Sequence, residues 1–238
     1  MALPAIFVSH GAPDLPLQRS PARFFLARLG NKLARPKAIL VISAHWGTLQ
    51  PTVSAAEKPK TIHDFWGFDR QLYSLNYLAR GAPDLAWKVS QLLNDAAIDN
   101  KIDESRGLDH GAWNPWMLMY PNADIPVASL SIQPNQTPEH HLRVGKALTC
   151  LRDEGILIIA SGSATHNLRE FGKHAIDAPP PKWVTEFSNW LSEMLKTGNI
   201  KAILNYRQLA PHALKNHPTA EHLLPLYVGL GAGENKIE

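Results

Sequence analysis

Two kinds of apolar pattern alternate along the chain: short runs that are apolar throughout, and longer stretches in which apolar residues recur every three or four positions. The first suits strands buried on both faces of a sheet, the second helices that cover such a sheet. Strands are expected at residues 5–9 (AIFVS), 38–42 (AILVI), 125–132 (IPVASLSI) and 155–161 (GILIIAS), with a short extended piece at 52–55. Helical spacing covers 20–33, 82–96, 137–154, 182–195 and 200–209, and 113–120 adds a turn or two. Ser20 and Thr137 are N-cap types, and Pro21 and Pro83 belong in first turns. A final helix is expected after Thr219 as cap, with His222 closing its first turn and Pro225 limiting it early. The opening strand, helix and strand form a βαβ unit, so the first two strands are expected to be parallel and adjacent.

This order predicts an α/β fold: one domain over residues 1–238, with a central, mostly parallel or mixed sheet flanked by helices. No linker, repeat or low-complexity tract divides it, and Pro179-Pro180-Pro181 reads as a stiff connection before a helix. A chain of 238 residues can bury a sizeable core.

Charge changes the picture little. The 24 Lys and Arg against 21 Asp and Glu leave +3, and the cations are scattered, which argues against a nucleic-acid surface. The amino-terminal apolar stretch has no basic segment ahead of it and is too short for a signal peptide or a membrane span, so a soluble, non-exported protein is expected. A single cysteine excludes an internal disulfide and a thiolate metal cluster and points to a reducing cytoplasm; Cys150 itself is expected to be a small buried residue.

Eleven histidines matter more. His10, His45 and His166 each lie just beyond an expected buried strand, and in open α/β sheets the segments leaving the strands' carboxyl ends build the site. Neutral imidazole binds Fe(II) and Zn(II) well, and an open site typically uses three protein ligands. His10 and His45, expected on adjacent strand ends, are thus placed to reach one ion, with a third ligand from a remote segment. His140, His141, His174, His212 and His217 read as ordinary surface or hydrogen-bonding residues. For His110 and His222 the spacing leaves both readings open, since neither follows a strong strand. Residues 61–68 (TIHDFWGF) have no helix or strand period, and their aromatics suit either a loop over a pocket or a filler of the core. No carboxylate pair, nucleophile elbow or phosphate-binding glycine motif stands out.

Six motifs, in order along nearly the whole chain, resemble the class III extradiol ring-cleavage dioxygenases of the 4,5-DOPA dioxygenase type: SHGAP at 9–13, SAHW at 43–46, TIHDFWGF at 61–68, DHGAW at 109–113, SGSATHNL at 161–168 and HPTAEHLLPL at 217–226. The resemblance implies one divalent non-haem metal at the strand carboxyl ends, Fe(II) for activity, with Zn(II) able to take its place. It implies His10, His45 and His222 as ligands, with Glu221 in reserve for the last. His166 matches the family's acid/base histidine, sometimes counted as a fourth ligand, and His110 a histidine near the oxygen position. His63, Phe65 and Trp113 are then expected to line the ring pocket. The implied partners are a catechol and O2; charge and segment length leave out nucleic acid and membrane, and the sequence leaves the oligomeric state open, a homodimer included. Family members usually continue past the GLGAG segment at 229–233 with a further strand, whereas this sequence ends at Glu238, so either the sheet lacks an edge strand or the sequence is incomplete. A zinc hydrolase on the same site and a non-catalytic binding protein of the same fold are the competing readings.

Overall fold

The apolar runs form one six-stranded sheet in the computed structural model, which describes residues 2–175 and 178–234. Its strands are β1 (Ala5–Ser9), β2 (Ala38–Gly47), β3 (Thr52–Ser54), β4 (Lys101–Asp103), β5 (Val127–Ile132) and β6 (Ile156–Gly162), in the order β1-β6-β2-β5-β3-β4. The first four in that order pair in parallel, and β3 meets β5 antiparallel through Val53 and Leu130, so the sheet is mixed. Residues of β2 alternate between two cores. Leu40 and Ile42 face one side with Leu130, Ile158 and Val228, while Ile39 and Val41 face the other with Trp113, Trp116 and Ile159. That two-sided burial is why the run is apolar at every position.

Helices cover both faces: α1 (Pro21–Lys32), α2 (Pro83–Asp95), α3 (His110–Met119), α4 (Pro138–Ala147), α5 (Lys182–Lys196), α6 (Ile200–Leu204), α7 (Tyr206–Leu209), α8 (Ala213–Asn216) and α9 (Leu224–Ala232). Ser20 caps α1 by accepting from Arg23 N at 3.2 Å, and Thr137 caps α4 by accepting from His140 N at 3.3 Å. Among the described residues no helix is long and apolar enough to cross a membrane.

Several expectations are corrected. The strands β1 and β2 are not neighbours, because β6 lies between them and pairs with both. Every residue of β6 is buried, whereas β1 is only half-buried, so β6 takes the interior position and β1 the edge. The strand β2 does not stop at Ile42; it runs on through Ser43, Ala44 and His45 to Gly47, with a register shift against β5 after Ser43. The short strand β4, beside β3, had too little apolar character to be expected. The stretch 137–154 breaks after Ala147 into a tighter turn at Thr149–Arg152, and 200–209 divides at Asn205. Cys150 falls in that turn and is exposed, not buried.

The last helix starts at Leu224, after Leu223 and not after Thr219, and Pro225 lies in its first turn, where a missing N–H costs nothing. His222 therefore precedes the helix. The GLGAG segment lies at the end of α9 and just beyond it, and residues 235–238 lie outside the described residues.

Candidate metal centre

The interposed strand β6 organises the site. Its terminal residue Gly162 accepts from His10 N at 3.0 Å, and the next residue, Ser163, donates its N–H to His222 O at 2.8 Å. A Cβ at Gly162 would stand 2.1 Å from His222 O, so only glycine admits this approach. His10 thus arrives from one neighbouring strand, His45 from the other, and His222 is hooked onto the end of β6 itself. His10 Nε2 lies 3.1 Å from His45 Nε2, and His222 Nε2 lies 3.2 Å from His45 Nε2.

A hydrogen bond assigns the His10 tautomer, and a nearby charge favours that of His45. The Ser161 hydroxyl donates to Gly111 O, so its oxygen accepts from His10 Nδ1 at 3.1 Å. His45 turns Nδ1 toward Asp64 Oδ2, 3.4 Å away. Both rings then carry their proton on Nδ1 and present the Nε2 lone pair to the shared centre. Burial, reinforced by the neighbouring histidines, holds His10 well below its usual range. Burial likewise, with the other histidines around them, lowers His45 to about 3 and His222 to about 2. These are neutral imidazoles, the form that binds a metal.

Facing lone pairs repel unless a cation lies between them. Two nitrogens held by one ion at about 2.1 Å and about 90–110° apart stand about 3.0–3.4 Å from each other, a range that includes both observed separations. The donor set fits a divalent cation.

Around these three residues stand two further histidines and two carboxylates. His110 opens α3, and its ring centroid lies 3.9 Å from that of His45. Asp64 Oδ1 accepts from both His110 N at 3.0 Å and His110 Nδ1 at 2.9 Å. Burial raises the Asp64 pKa, but the bonds from His110 outweigh it and leave the carboxylate below its usual range. Buried Asp109 caps α3 by accepting from Ala112 N at 3.1 Å, accepts from the Ser43 hydroxyl at 2.6 Å, and meets Arg106 at 2.9 Å. Burial pushes this carboxyl up against those bonds. The Asp109 cap also explains why α3 begins at His110, not at Trp113. His166 stacks on His222, with centroids 3.5 Å apart and planes 6° from parallel. Its backbone N–H donates to Asn216 O at 2.9 Å, and burial lowers its pKa against the opposing pull of Glu221.

The other expected site residues divide. Phe65 sets its ring edge-on to His110, with centroids 5.8 Å apart. His63 hydrogen-bonds through Nε2 to Leu75 O at 2.9 Å. Trp113 is fully buried and donates its indole N–H to Ile62 O at 3.0 Å, as core residues do. Within the loop Phe65 and Phe68 pack on the core while Trp66 is 86% exposed. Glu221 lines a separate cleft of about 630 Å³ with Thr137, Tyr206 and Leu224. Among the described residues two sets of side chains bring ligand atoms within 4.8 Å of one another: His10, His45 and His222, and also His45, Asp64 and His110. The roles of Asp64, Asp109, Ser43 and Ser161 had no signal of their own in the spacing, although each lies inside a quoted motif.

His141 lies apart from this centre and is buried, its Nε2 accepting from Gln133 N at 3.1 Å while Nδ1 donates to Thr137 O at 2.9 Å. Burial lowers it to about 4. Above pH about 6.5 both folded and unfolded chains hold it neutral; between there and pH about 4 only the unfolded chain takes up the proton, so stability falls by about 1.4 kcal/mol per pH unit for each such residue. Urea midpoints of the metal-free protein measured from pH 7 to pH 4.5 should fall, and His141→Gln should make the fall shallower.

The comparisons with known proteins agree with this chemistry. Residues 4–238 match the family described as the catalytic LigB subunit of aromatic ring-opening dioxygenase, and the chain belongs to that family. It is therefore an oxidoreductase of the extradiol ring-opening class, whose members use a non-haem metal. Among curated relatives it is 44% identical over 233 residues to a "4,5-DOPA dioxygenase extradiol" of Mirabilis jalapa, covering 96% of this chain and 86% of that protein. The same name is carried by a Beta vulgaris protein, 44% identical over 96% of this chain and 87% of its own length. An Escherichia coli K12 protein, also of that name, is 41% identical over 98% of this chain and 86% of its own. The crystal structure of an uncharacterized Escherichia coli K12 protein superposes with a TM-score of 0.79 at 34% identity, covering 98% of this chain and 89% of that one.

Proposed function

We propose that this enzyme opens the ring of a DOPA-like catechol beside its two hydroxyls to give a semialdehyde, with Fe(II) held by His10, His45 and His222. The observation that carries the ligand set is the convergence of three neutral Nε2 atoms at 3.1 and 3.2 Å. The identity with proteins named for 4,5-DOPA cleavage supports the substrate class. When bound, the metal brings catechol and O2 together and lets electron density pass from the ring to oxygen. His166, neutral at pH 7, takes a proton from a catechol hydroxyl on one of its ring nitrogens and returns it later in the reaction. His110, whose Nδ1 proton is engaged by Asp64, offers Nε2 as an acceptor to a protonated oxygen at the site. Phe65 supplies an apolar edge beside His110 for the substrate ring. Zn(II), which imidazole binds more tightly than Fe(II), competes for the same ligands without supporting the reaction. A reducing cytoplasm suits both Fe(II) and the exposed Cys150.

Anaerobic loading with Fe(II), followed by DOPA or a panel of other catechols in air, should give stoichiometric O2 uptake and a new visible absorption band. Neither signal with any catechol would overturn the reading, and turnover with Zn(II) in the absence of O2 would point to a hydrolase instead.

A further inference from the structure

We infer that Asp64 is a positioning residue that sets the tautomers of two site histidines at once, and that its two oxygens are not interchangeable. The inference deepens the three-histidine reading and rests on it. Oδ1 takes two donors from one residue, the backbone N–H of His110 at 3.0 Å and its ring Nδ1 at 2.9 Å. Oδ2 faces His45 Nδ1 at 3.4 Å. A carboxylate is acceptor-only at both oxygens, so the hydrogen bond holds the His110 proton on Nδ1, and the negative oxygen beside His45, too far for a good hydrogen bond, favours the proton on Nδ1 there by charge. For His45 that leaves the Nε2 lone pair directed at His10 Nε2 and His222 Nε2; for His110 it leaves Nε2 open as an acceptor. The side chain comes from the loop at 61–68, so this loop is tied to both α3 and β2 through one carboxylate.

An amide tests the asymmetry. In Asp64→Asn the side chain offers one acceptor and one donor group in place of two acceptors. Its oxygen must stay toward His110, because turning the NH2 there would set it against a backbone N–H that cannot change. The NH2 then faces His45 Nδ1, which must become an acceptor, and the proton moves to Nε2, where it blocks the lone pair the metal needs. Asp64→Asn is isosteric, yet it should cost metal affinity, on the order of 10–100-fold.

The alternative assignment is direct ligation, since His45, Asp64 and His110 also bring ligand atoms within 4.8 Å. Chelator competition with Co(II) or Zn(II) and the ring 15N shifts distinguish the two. In the wild-type protein the 15N pattern should show His45 and His110 protonated on Nδ1, with one metal per chain. In Asp64→Asn the His45 pattern should switch to Nε2–H in the metal-free protein, with weaker metal binding and an unchanged melting temperature. Wild-type rings protonated on Nε2, two metals per chain, or an Asp64→Asn variant with unchanged affinity and tautomers would each overturn the inference; the first two need no variant to fold. Metal binding that survives His10→Ala and His222→Ala would instead remove the three-histidine reading beneath it.

Discussion

His222→Ala should abolish metal binding at the micromolar level and with it ring opening, a loss of several kcal/mol of transition-state stabilisation and on the order of 10³-fold or more in rate. Of the three converging histidines His222 gives the cleanest test. It lies outside the sheet, in the segment before α9, and the hydrogen bond that docks it is made by its backbone oxygen to Ser163 N, which alanine keeps. Leu223 and Leu224, fully buried on its carboxyl side, hold the segment whatever residue 222 is. Losses should therefore fall on metal affinity and activity, with the circular dichroism and the melting temperature of the metal-free protein little changed. The experiment also separates two ways of grouping the same residues. His45 belongs both to the set with His10 and His222 and to the set with Asp64 and His110. If the second set held the ion, His222→Ala would leave metal stoichiometry and affinity intact; isothermal titration with Zn(II) or Co(II), read beside O2 uptake in the Fe(II)-loaded variant, decides between them.

How much of this was legible in the sequence depends on whether a residue acts through local pattern or through a long-range meeting. The strands around Ile39, Leu130 and Ile158 could be read because burial on both faces leaves an uninterrupted apolar run, and α1 and α4 because Ser20 and Thr137 cap them from adjacent positions. The neighbour relation of β1 and β2 could not be read, since the strand that separates them lies far downstream of both in the chain. That same insertion builds the site: His10 and His45 flank β6, and β6 carries both Ser161, which orients His10, and Gly162, which admits His222. Motif resemblance supplied His222 and His110, but periodicity put His222 inside a helix that in fact starts at Leu224. Asp64 left no trace in spacing because an orienting carboxylate needs only to be near its histidine in space, and Asp109 left none for its bond to Ser43, which comes from a distant strand. Their partners lie 46 and 66 positions away.

His166→Ala should leave the metal in place and remove turnover, with kcat/KM lower by about 10²–10⁴-fold, the usual contribution of a positioned acid or base. The geometry supports this role over ligation. An imidazole lone pair lies in the plane of its ring. His166 is stacked on the His222 ring at 3.5 Å and 6° from parallel, which sets its own lone pairs in a plane displaced from that of His222. His10, His45 and His222 would hold the ion, and His166, outside that converging set, would serve a substrate bound beside it. Its environment suits proton transfer: burial lowers the pKa and Glu221 opposes that shift, which keeps the ring neutral at pH 7 and able to accept. The loop that carries it is fixed by groups outside the site, through His166 N to Asn216 O at 2.9 Å and His217 Nε2 to Ala164 O at 2.9 Å, so alanine at 166 leaves the loop anchored. Metal content by atomic emission should then equal that of the wild type while O2 uptake with DOPA falls away. Loss of the metal along with the activity would make His166 a fourth ligand and leave the proton transfer to His110, whose Nε2 is the other acceptor the site offers.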